Sequence, residues 1–310
     1  MNKKIYLIRS GRTKFGGAEN YLSRLSKALE KENIKHQVLN SSLPKFLPSW
    51  LRSLLFNIQL CFIKQDKFFY SLDRITCPDL YRAGDGVHKV FLSIENKSKL
   101  NLLHPTYLYL EKKCFNNAKS IIVNSKMVKN EIIKTYDINP NKIDIIYNGI
   151  EFNEVDYQKS FKKLSKEFRL TQNQPIILFV GSGFKRKGVE EFLQIVAMLK
   201  TKGVKAFVVG KEKNLSYYQN ISKKLNIDNQ IFFTGPRTDV NDFYTISDIF
   251  LFPTHYDPFS NVVLEAMYFE NAVFTTRSNG ASEILDTDFI MDIPYDKKVA
   301  VSIDNLINNR

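Results

Sequence analysis

The segment "IFLFPTHYDPFSNVVLEAMYF", residues 249–269, carries the reading of the fold. Residues 249–252 are continuously apolar, as expected of a strand covered on both faces. Pro253 and Pro258 stop the strand and hold a loop. From Val262 to Phe269 the apolar residues recur at helical spacing. Strand, loop and helix in that order form the repeating unit of a parallel α/β sheet, whose ligands bind beyond the C-terminal ends of the strands. This loop places one carboxylate, Asp257, ahead of the helix and a second, Glu265, a little over one turn inside it. Ser260 and Asn261 lie between them, where either side chain can cap the helix.

The same alternation extends in both directions. In the second half, strands are expected over 176–180, 206–209, 231–234, 249–252 and 273–276, with helices over 190–200, 216–225, 240–246 and 262–269. In the first half, strands are expected over 4–9, 35–39, 67–72, 120–123 and 143–147. Helices are expected from Gly16-Gly17 through Leu22, Leu25 and Leu29, and over 49–64, 105–116 and 125–136. A last helix is expected over 299–308. Two such series predict two α/β, Rossmann-like domains, residues 1–170 and 171–310, joined by a polar, Lys-rich stretch over 151–174 that ends at Pro175.

Composition sets bounds on function. The chain has 310 residues, 44% hydrophobic and 25% charged, as in an ordinary soluble globular protein. No window approaches the ~18 unbroken apolar residues of a membrane span. The start, Met-Asn-Lys-Lys and a short apolar run before Arg9, is too brief for a signal peptide and reads as a first strand, with a cytoplasmic location as the default. Cys61, Cys77 and Cys114 show no metal-ligand spacing and read as buried thiols. Residues 1–170 hold 30 Lys+Arg and 16 Asp+Glu, and residues 171–310 hold 15 and 16. The excess positive charge of the first half attracts anions: nucleic acid, an acidic membrane face or a phosphorylated substrate.

The segments after the strands carry the chemistry. "SGRTKFGGAE", 10–19, brings Gly16 and Gly17 to a helix start, where backbone amides approach an anion closely or simply make a tight turn. "GSGFKRKG", 181–188, sets Lys185, Arg186 and Lys187 between glycines. It suits phosphate without having the P-loop spacing. In the 249–269 segment the helix start offers free amides to a diphosphate, and the two carboxylates can accept hydrogen bonds from sugar hydroxyls on either side of it. "YRAGDGVHKVFL", 81–92, offers Asp85 and His88. His255, next to Asp257 but one, is a weaker candidate, and His36 and His104 read as incidental.

Taken together, "FGGAE", "NSKMVKNEIIKTYDINPNKIDIIYNGIE", "GSGFKRKG", "FFTGPRTDV" and "DPFSNVVLEAM" resemble glycosyltransferase family 4, and within it the lipopolysaccharide-core glucosyltransferases. The resemblance spans nearly the whole chain in order. It implies the GT-B fold, two Rossmann-like domains whose parallel sheets face a central cleft, and retaining transfer of a sugar from a nucleotide diphosphate. It also implies that Glu265 binds the nucleotide ribose, that Asp257 contacts the transferred sugar, and that Lys187 meets the donor diphosphate. Gly16 and Gly17 would close over the phosphates, and Asp85 and His88 would lie on the acceptor or sugar side. The sequence departs from the family pattern in three places. Asp257 stands where the family usually has Glu, and Ser182 stands where many members have Arg, with Arg186 the candidate to supply that charge. The C-terminal helices that cross back onto the first domain are expected to be shortened or missing.

The resulting expectation is a hexosyltransferase using a nucleotide sugar, UDP-linked, with a lipopolysaccharide core or related glycolipid as acceptor. It needs no cofactor and no metal, because no Asp-x-Asp pattern follows a strand and the basic loop can balance the diphosphate. Lys187, Arg186 and the amides of Asn261 and Val262 would stabilise charge on the leaving group, and Ser182 and Ser260 complete the donor-side set. The basic first half would face an anionic inner-leaflet surface. Residues 88–113 mix Lys97, Lys99, Lys112 and Lys113 with Leu100, Leu102, Leu103 and Tyr107, a candidate surface-binding stretch, whereas 49–64 reads as a core helix. Three rival readings are a nucleotide-sugar epimerase of the same architecture, an inactive truncated homologue, and a nucleic-acid-binding protein. The last lacks a recognition helix, an aromatic RNA-binding strand or a Lys/Arg block, so no nucleic-acid partner is expected.

Overall fold

The computed structural model describes residues 4–11, 17–95, 101–151 and 154–309. They form two compact units, Met1–Tyr147 and Asn148–Arg310. Each is built on a six-stranded sheet in which the recorded pairings are all parallel.

In the first unit the strands are β1 (Ile5–Ile8), β2 (His36–Leu39), β3 (Phe68–Ser71), β4 (Leu80–Arg82), β5 (Ser120–Val123) and β6 (Ile143–Ile145). They lie in the order β2-β1-β3-β4-β5-β6, so the strand order reverses between β1 and β3. The helices are α1 (Gly17–Lys31), α2 (Ser49–Lys64), α3 (His88–Glu95), α4 (Leu103–Asn117) and α5 (Lys126–Tyr136). Ser125 caps α5 by accepting the Val128 N–H, and Asp137 ends it in the left-handed region.

The second unit contains β7 (Ile176–Val180), β8 (Lys205–Val209), β9 (Ile231–Gly235), β10 (Ile249–Phe252), β11 (Ala272–Thr276) and β12 (Ile290–Met291). Their order is β12-β11-β10-β7-β8-β9, and it reverses between β7 and β10. All four residues of β10 are buried, as a strand covered by helices on both faces requires. The helices are α6 (Tyr157–Phe168), α7 (Phe184–Lys187), α8 (Val189–Ala197), α9 (Leu215–Lys224), α10 (Val240–Ile246), α11 (Asn261–Tyr268) and α12 (Lys297–Asn308). A single large core, including Phe179, Phe207, Phe250 and Phe252, joins sheet to helices.

The structure alters five expectations. The boundary falls at Tyr147/Asn148 rather than after residue 170. Residues 157–168, read as linker because of their lysines, form α6, whose apolar residues Tyr157, Phe161, Leu164 and Phe168 are spaced for one helical face. Leu164 and Phe168 belong to the second core, and Ser160 donates to Asp242 at 2.8 Å. The strand β4 was not anticipated, because three residues are too few to show a period, and neither was the eight-residue helix α3. Helix α2 is only half a core helix. Phe56 and Leu60 are buried while Ile58 and Phe62 are 48% and 80% exposed. Of the cysteines only Cys114 is buried; Cys61 is exposed, with its thiol against that of Cys77.

Divided at the observed boundary, residues 1–147 hold 25 Lys+Arg and 12 Asp+Glu, and residues 148–310 hold 20 of each. The whole net charge of +13 therefore resides in the first unit. Among the described residues no helix is long and apolar enough to cross a membrane.

Candidate active site

In an open parallel sheet the binding crevice lies where the strand order reverses. In the second unit that point is flanked by the segments after β7 and β10, the two segments singled out by their residues. The structure brings them together. Lys187, the last residue of α7, forms an ion pair with Asp257, and both side chains are largely buried. The Lys187 ammonium also lies 5.1 Å from the ring centre of Phe252 at the end of β10.

This contact depends on Gly188. Its φ is +77°, and a Cβ there would collide with the Pro253 carbonyl. Glycine thus lets the lysine-bearing turn lie directly on the Pro253–Asp257 backbone. Arg186 tightens the junction: its Nη1 donates to the Tyr256 carbonyl at 2.7 Å, and its own carbonyl accepts from His255 N and Thr254 Oγ1. Arg186 therefore fastens the loop while its charge remains close to Asp257.

Asp257 is also fixed through its backbone. Its N–H donates to Ser278 O and its carbonyl accepts from Gly280 N, each at 2.9 Å, and its Oδ1 accepts from Phe259 N. Burial pushes its pKa up, but the ion pair with Lys187, helped by Arg186, outweighs burial and holds the carboxyl below its ordinary value. Burial lowers the Lys187 pKa, against the opposing attraction of Asp257.

Ser260 occupies the N-cap position of α11, yet its hydroxyl makes no capping bond there; it lies by the Asp257 carboxylate and helps to hold it ionised. Asn279, fully buried, braces the residue before the helix: its Oδ1 accepts from Ser260 N and Ala281 N while its Nδ2 donates to Thr275 Oγ1. The Asn261 side chain accepts from Asn148 Nδ2 at 2.9 Å. The amides of Asn261 and Val262 head α11, where a helix leaves its first N–H groups outside the helical ladder. One turn further, Glu265 Oε2 accepts from the hydroxyl of Tyr244 at 2.9 Å. Helix amides and two anchored carboxylates thus lie along the β10–α11 connection, with a cation from the segment after β7 set against it, an arrangement that can balance a diphosphate and hold hydroxyls at either end.

The remaining predicted residues distribute as follows. Ser182 is exposed and accepts from Lys211 N, linking the turns after β7 and β8. His255 turns to Glu191 on α8, 2.8 Å away. Gly17 opens α1, and Gly16 lies outside the described residues, as do Lys97, Lys99 and Leu100. Asp85 is exposed in the turn between β4 and α3. His88 is the first residue of α3. Its ring packs edge-on against Tyr107 and its Nε2 is 3.2 Å from His104 Nδ1, so His104, taken as incidental, is its partner. The sequence reading missed the residue that organises this corner, Glu111. Completely buried, it accepts from Arg74 Nε, His88 N, Lys89 N and the Tyr136 hydroxyl. Tyr244, Asn279 and Asn148 were missed likewise. The Asn-Gly pairs at 148–149 and 279–280 were legible turn signals, whereas Tyr244 carried none.

Comparison with known proteins bears on the fold. The architecture is that of GT-B glycosyltransferases. The solved structure of WaaG, a glycosyltransferase involved in lipopolysaccharide biosynthesis, matches with a TM-score of 0.78 at 18% identity, over 98% of this chain and 90% of that one. Anabaena HepE in complex with UDP and glucose matches with a TM-score of 0.71 at 18% identity, over 99% and 90%. Residues 85–154 match the Glycosyltransferase Family 4 model, and residues 160–310 match Glycosyl transferases group 1. These two matches make the chain similar to glycosyltransferases of family 4. Among curated relatives, the capsular polysaccharide biosynthesis glycosyltransferase CapM of Staphylococcus aureus is 32% identical over 214 residues, 65% of this chain and 56% of its own length. The lipopolysaccharide glucosyltransferase WaaG of Escherichia coli is 26% identical over 184 residues, 56% of this chain and 48% of its own. The chain spans about half the length of the curated relatives it matches.

Proposed function

We propose that this protein transfers a hexose from a UDP-linked sugar to a cell-surface glycan or glycolipid, with retention of configuration and without a metal ion. The observation that carries this reading is the Lys187–Asp257 pair beside the head of α11, at the point where the second sheet reverses its order. Lys187 and the α11 amides take up the charge that grows on the departing diphosphate. Asp257 orients the transferred sugar, and Glu265, steadied by Tyr244, holds the ribose hydroxyls. The choice of UDP and of a glucose-like sugar draws support from HepE, whose structure holds UDP and glucose. A lipopolysaccharide or related acceptor draws support from WaaG. An anionic membrane surface completes the proposal. It is supported by the charge of the first unit and by the exposed Phe46, Ile58 and Phe62.

Acceptor-dependent release of UDP from UDP-glucose, with the anomeric configuration of the product read by NMR in chelator-containing buffer, tests the reaction. No release from any nucleotide-diphosphate hexose, with glycan and glycolipid acceptors present, would remove the proposal. Sedimentation with anionic and neutral vesicles tests the membrane step, and equal recovery from both would count against it.

A further inference from the structure

The first unit contains a cavity of about 360 Å³ beyond the C-terminal ends of β1 and β2, the end of a parallel sheet at which ligands bind. Its wall carries Lys45, Arg52 and the serines Ser10, Ser41, Ser49 and Ser53, with no carboxylate. Neither Lys45 nor Arg52 has an ion-pair partner among the described residues, whereas Arg9 and Arg74 nearby are neutralised by Asp73, Glu19 and Glu111. Ser49, Arg52 and Ser53 belong to the first turns of α2, which have no acidic residue and no side-chain cap. The lining also includes Leu43, Leu103 and Tyr107; the Tyr107 ring rests against His88 and has the Arg74 guanidinium 5.6 Å from its centre.

Two unneutralised cations and several hydroxyls are the donor set for a phosphate oxyanion. The apolar and aromatic residues of the same lining suit the carbon face of a sugar or polyol ring. The volume is at the small-ligand end of the usual range. We infer that this cavity binds a phosphorylated sugar or polyol, with Lys45 and Arg52 on the phosphate and Tyr107 against the ring. Its assignment as the acceptor side rests on the glycosyl-transfer reading; the anion binding itself does not. The phosphate has two possible sources, a free sugar phosphate or a lipid headgroup.

Calorimetric titration of the whole chain with glucose 6-phosphate, with glucose as the uncharged control, tests the inference. UDP is kept in excess, so that the second unit's anion site does not contribute. Glucose 6-phosphate should bind and glucose should not, and the double variant Lys45→Gln, Arg52→Gln should weaken binding about tenfold or more. Binding of UDP and the melting temperature should be unchanged in that variant, which shows it folded. In a second arm, phosphatidylcholine vesicles with and without phosphatidylinositol 4-phosphate are sedimented with each protein. Retention that needs the phosphorylated lipid and is lost in the variant, without binding of the free sugar phosphate, assigns the cavity to a headgroup. If the wild type binds neither ligand, or the variant binds as well as the wild type, the inference is overturned. If UDP fails to bind while glucose 6-phosphate still depends on Lys45 and Arg52, the cavity assignment stands and the glycosyl-transfer reading falls.

Discussion

Tyr244 donates a 2.9 Å hydrogen bond to Glu265 from a completely buried ring on a neighbouring helix. The bond fixes the direction of the half-buried carboxylate that the proposed function sets on the ribose hydroxyls. Burial, reinforced by the adjacent Glu265, raises the Tyr244 pKa well above its ordinary value, so the phenol remains a donor throughout the working range. Tyr244→Phe keeps the packing and removes only this bond. The expected cost is about 1 kcal/mol, roughly a fivefold rise in the KM for the nucleotide sugar, with kcat nearly unchanged. A fall in kcat at constant KM in steady-state kinetics would show that Glu265 does not act through ground-state binding of the donor.

Lys187→Ala removes the cation closest to the predicted diphosphate. Loss of such a transition-state contact typically lowers kcat by about a hundred- to a thousandfold. The KM for the acceptor should stay within a factor of about two, since a group that acts only on the leaving side makes no contact with the acceptor. Initial rates over a matrix of donor and acceptor concentrations separate the two, and equal losses in both would sink the role.

Much of this site was legible because its residues are consecutive. Asp257, Ser260, Asn261 and Glu265 fall within one strand–loop–helix unit, and a parallel sheet sends such loops to the binding edge whatever its detailed topology. Gly188 was readable for the same reason, although its purpose, the close approach to Pro253, becomes visible only in three dimensions. Residues that act across the fold were not readable. Tyr244 looks like any core aromatic until α10 is seen against α11. Glu111 sits in a helix whose neighbours suggested surface attachment, and its burial depends on Arg74, 37 positions away. The domain boundary failed because α6 carries so many lysines that its apolar stripe was masked. A basic face says how a helix meets solvent and nothing about which core its other face joins.

Gly183 and Gly188 share a φ of +77° but differ in surroundings: nothing lies near a Cβ at 183, and the Pro253 carbonyl blocks one at 188. Gly183→Ala should therefore cost only the left-handed strain, about 1–2 kcal/mol. Gly188→Ala must in addition push α7 off the Pro253–Asp257 segment and open the Lys187–Asp257 pair. Thermal melts with and without UDP should show a larger loss of stability, and a smaller nucleotide-induced shift, for Gly188→Ala. Indistinguishable variants would mean that the close approach is not needed.

Glu111 balances Arg74 and caps the first turn of α3 from a fully buried position. Removing one partner of a buried pair typically costs about 3–5 kcal/mol, because the other charge remains. Urea denaturation of Glu111→Ala should show a loss of that order in the transition of the first unit, and Glu111→Gln a smaller one, since the amide still accepts from the backbone. A loss below about 1 kcal/mol for Glu111→Ala would mean that Arg74 finds another acceptor.

The pH dependence of Asp257 should change sign with its partner. In the wild type its folded pKa lies below the unfolded value of about 3.9, so its contribution to stability is complete above that pH and is lost as pH falls toward the folded pKa. Without the lysine, burial dominates and pushes the folded pKa above the unfolded one. In Lys187→Met the Asp257 contribution should then be most favourable at acid pH and decline as pH rises through the new folded pKa. The gap in melting temperature between wild type and Lys187→Met should accordingly widen from pH 4 to pH 7. The gap for Asp257→Asn should narrow below pH 4, where the wild-type carboxylate itself protonates. Melting curves that stay parallel across this range would show that Lys187 does not set the ionisation of Asp257.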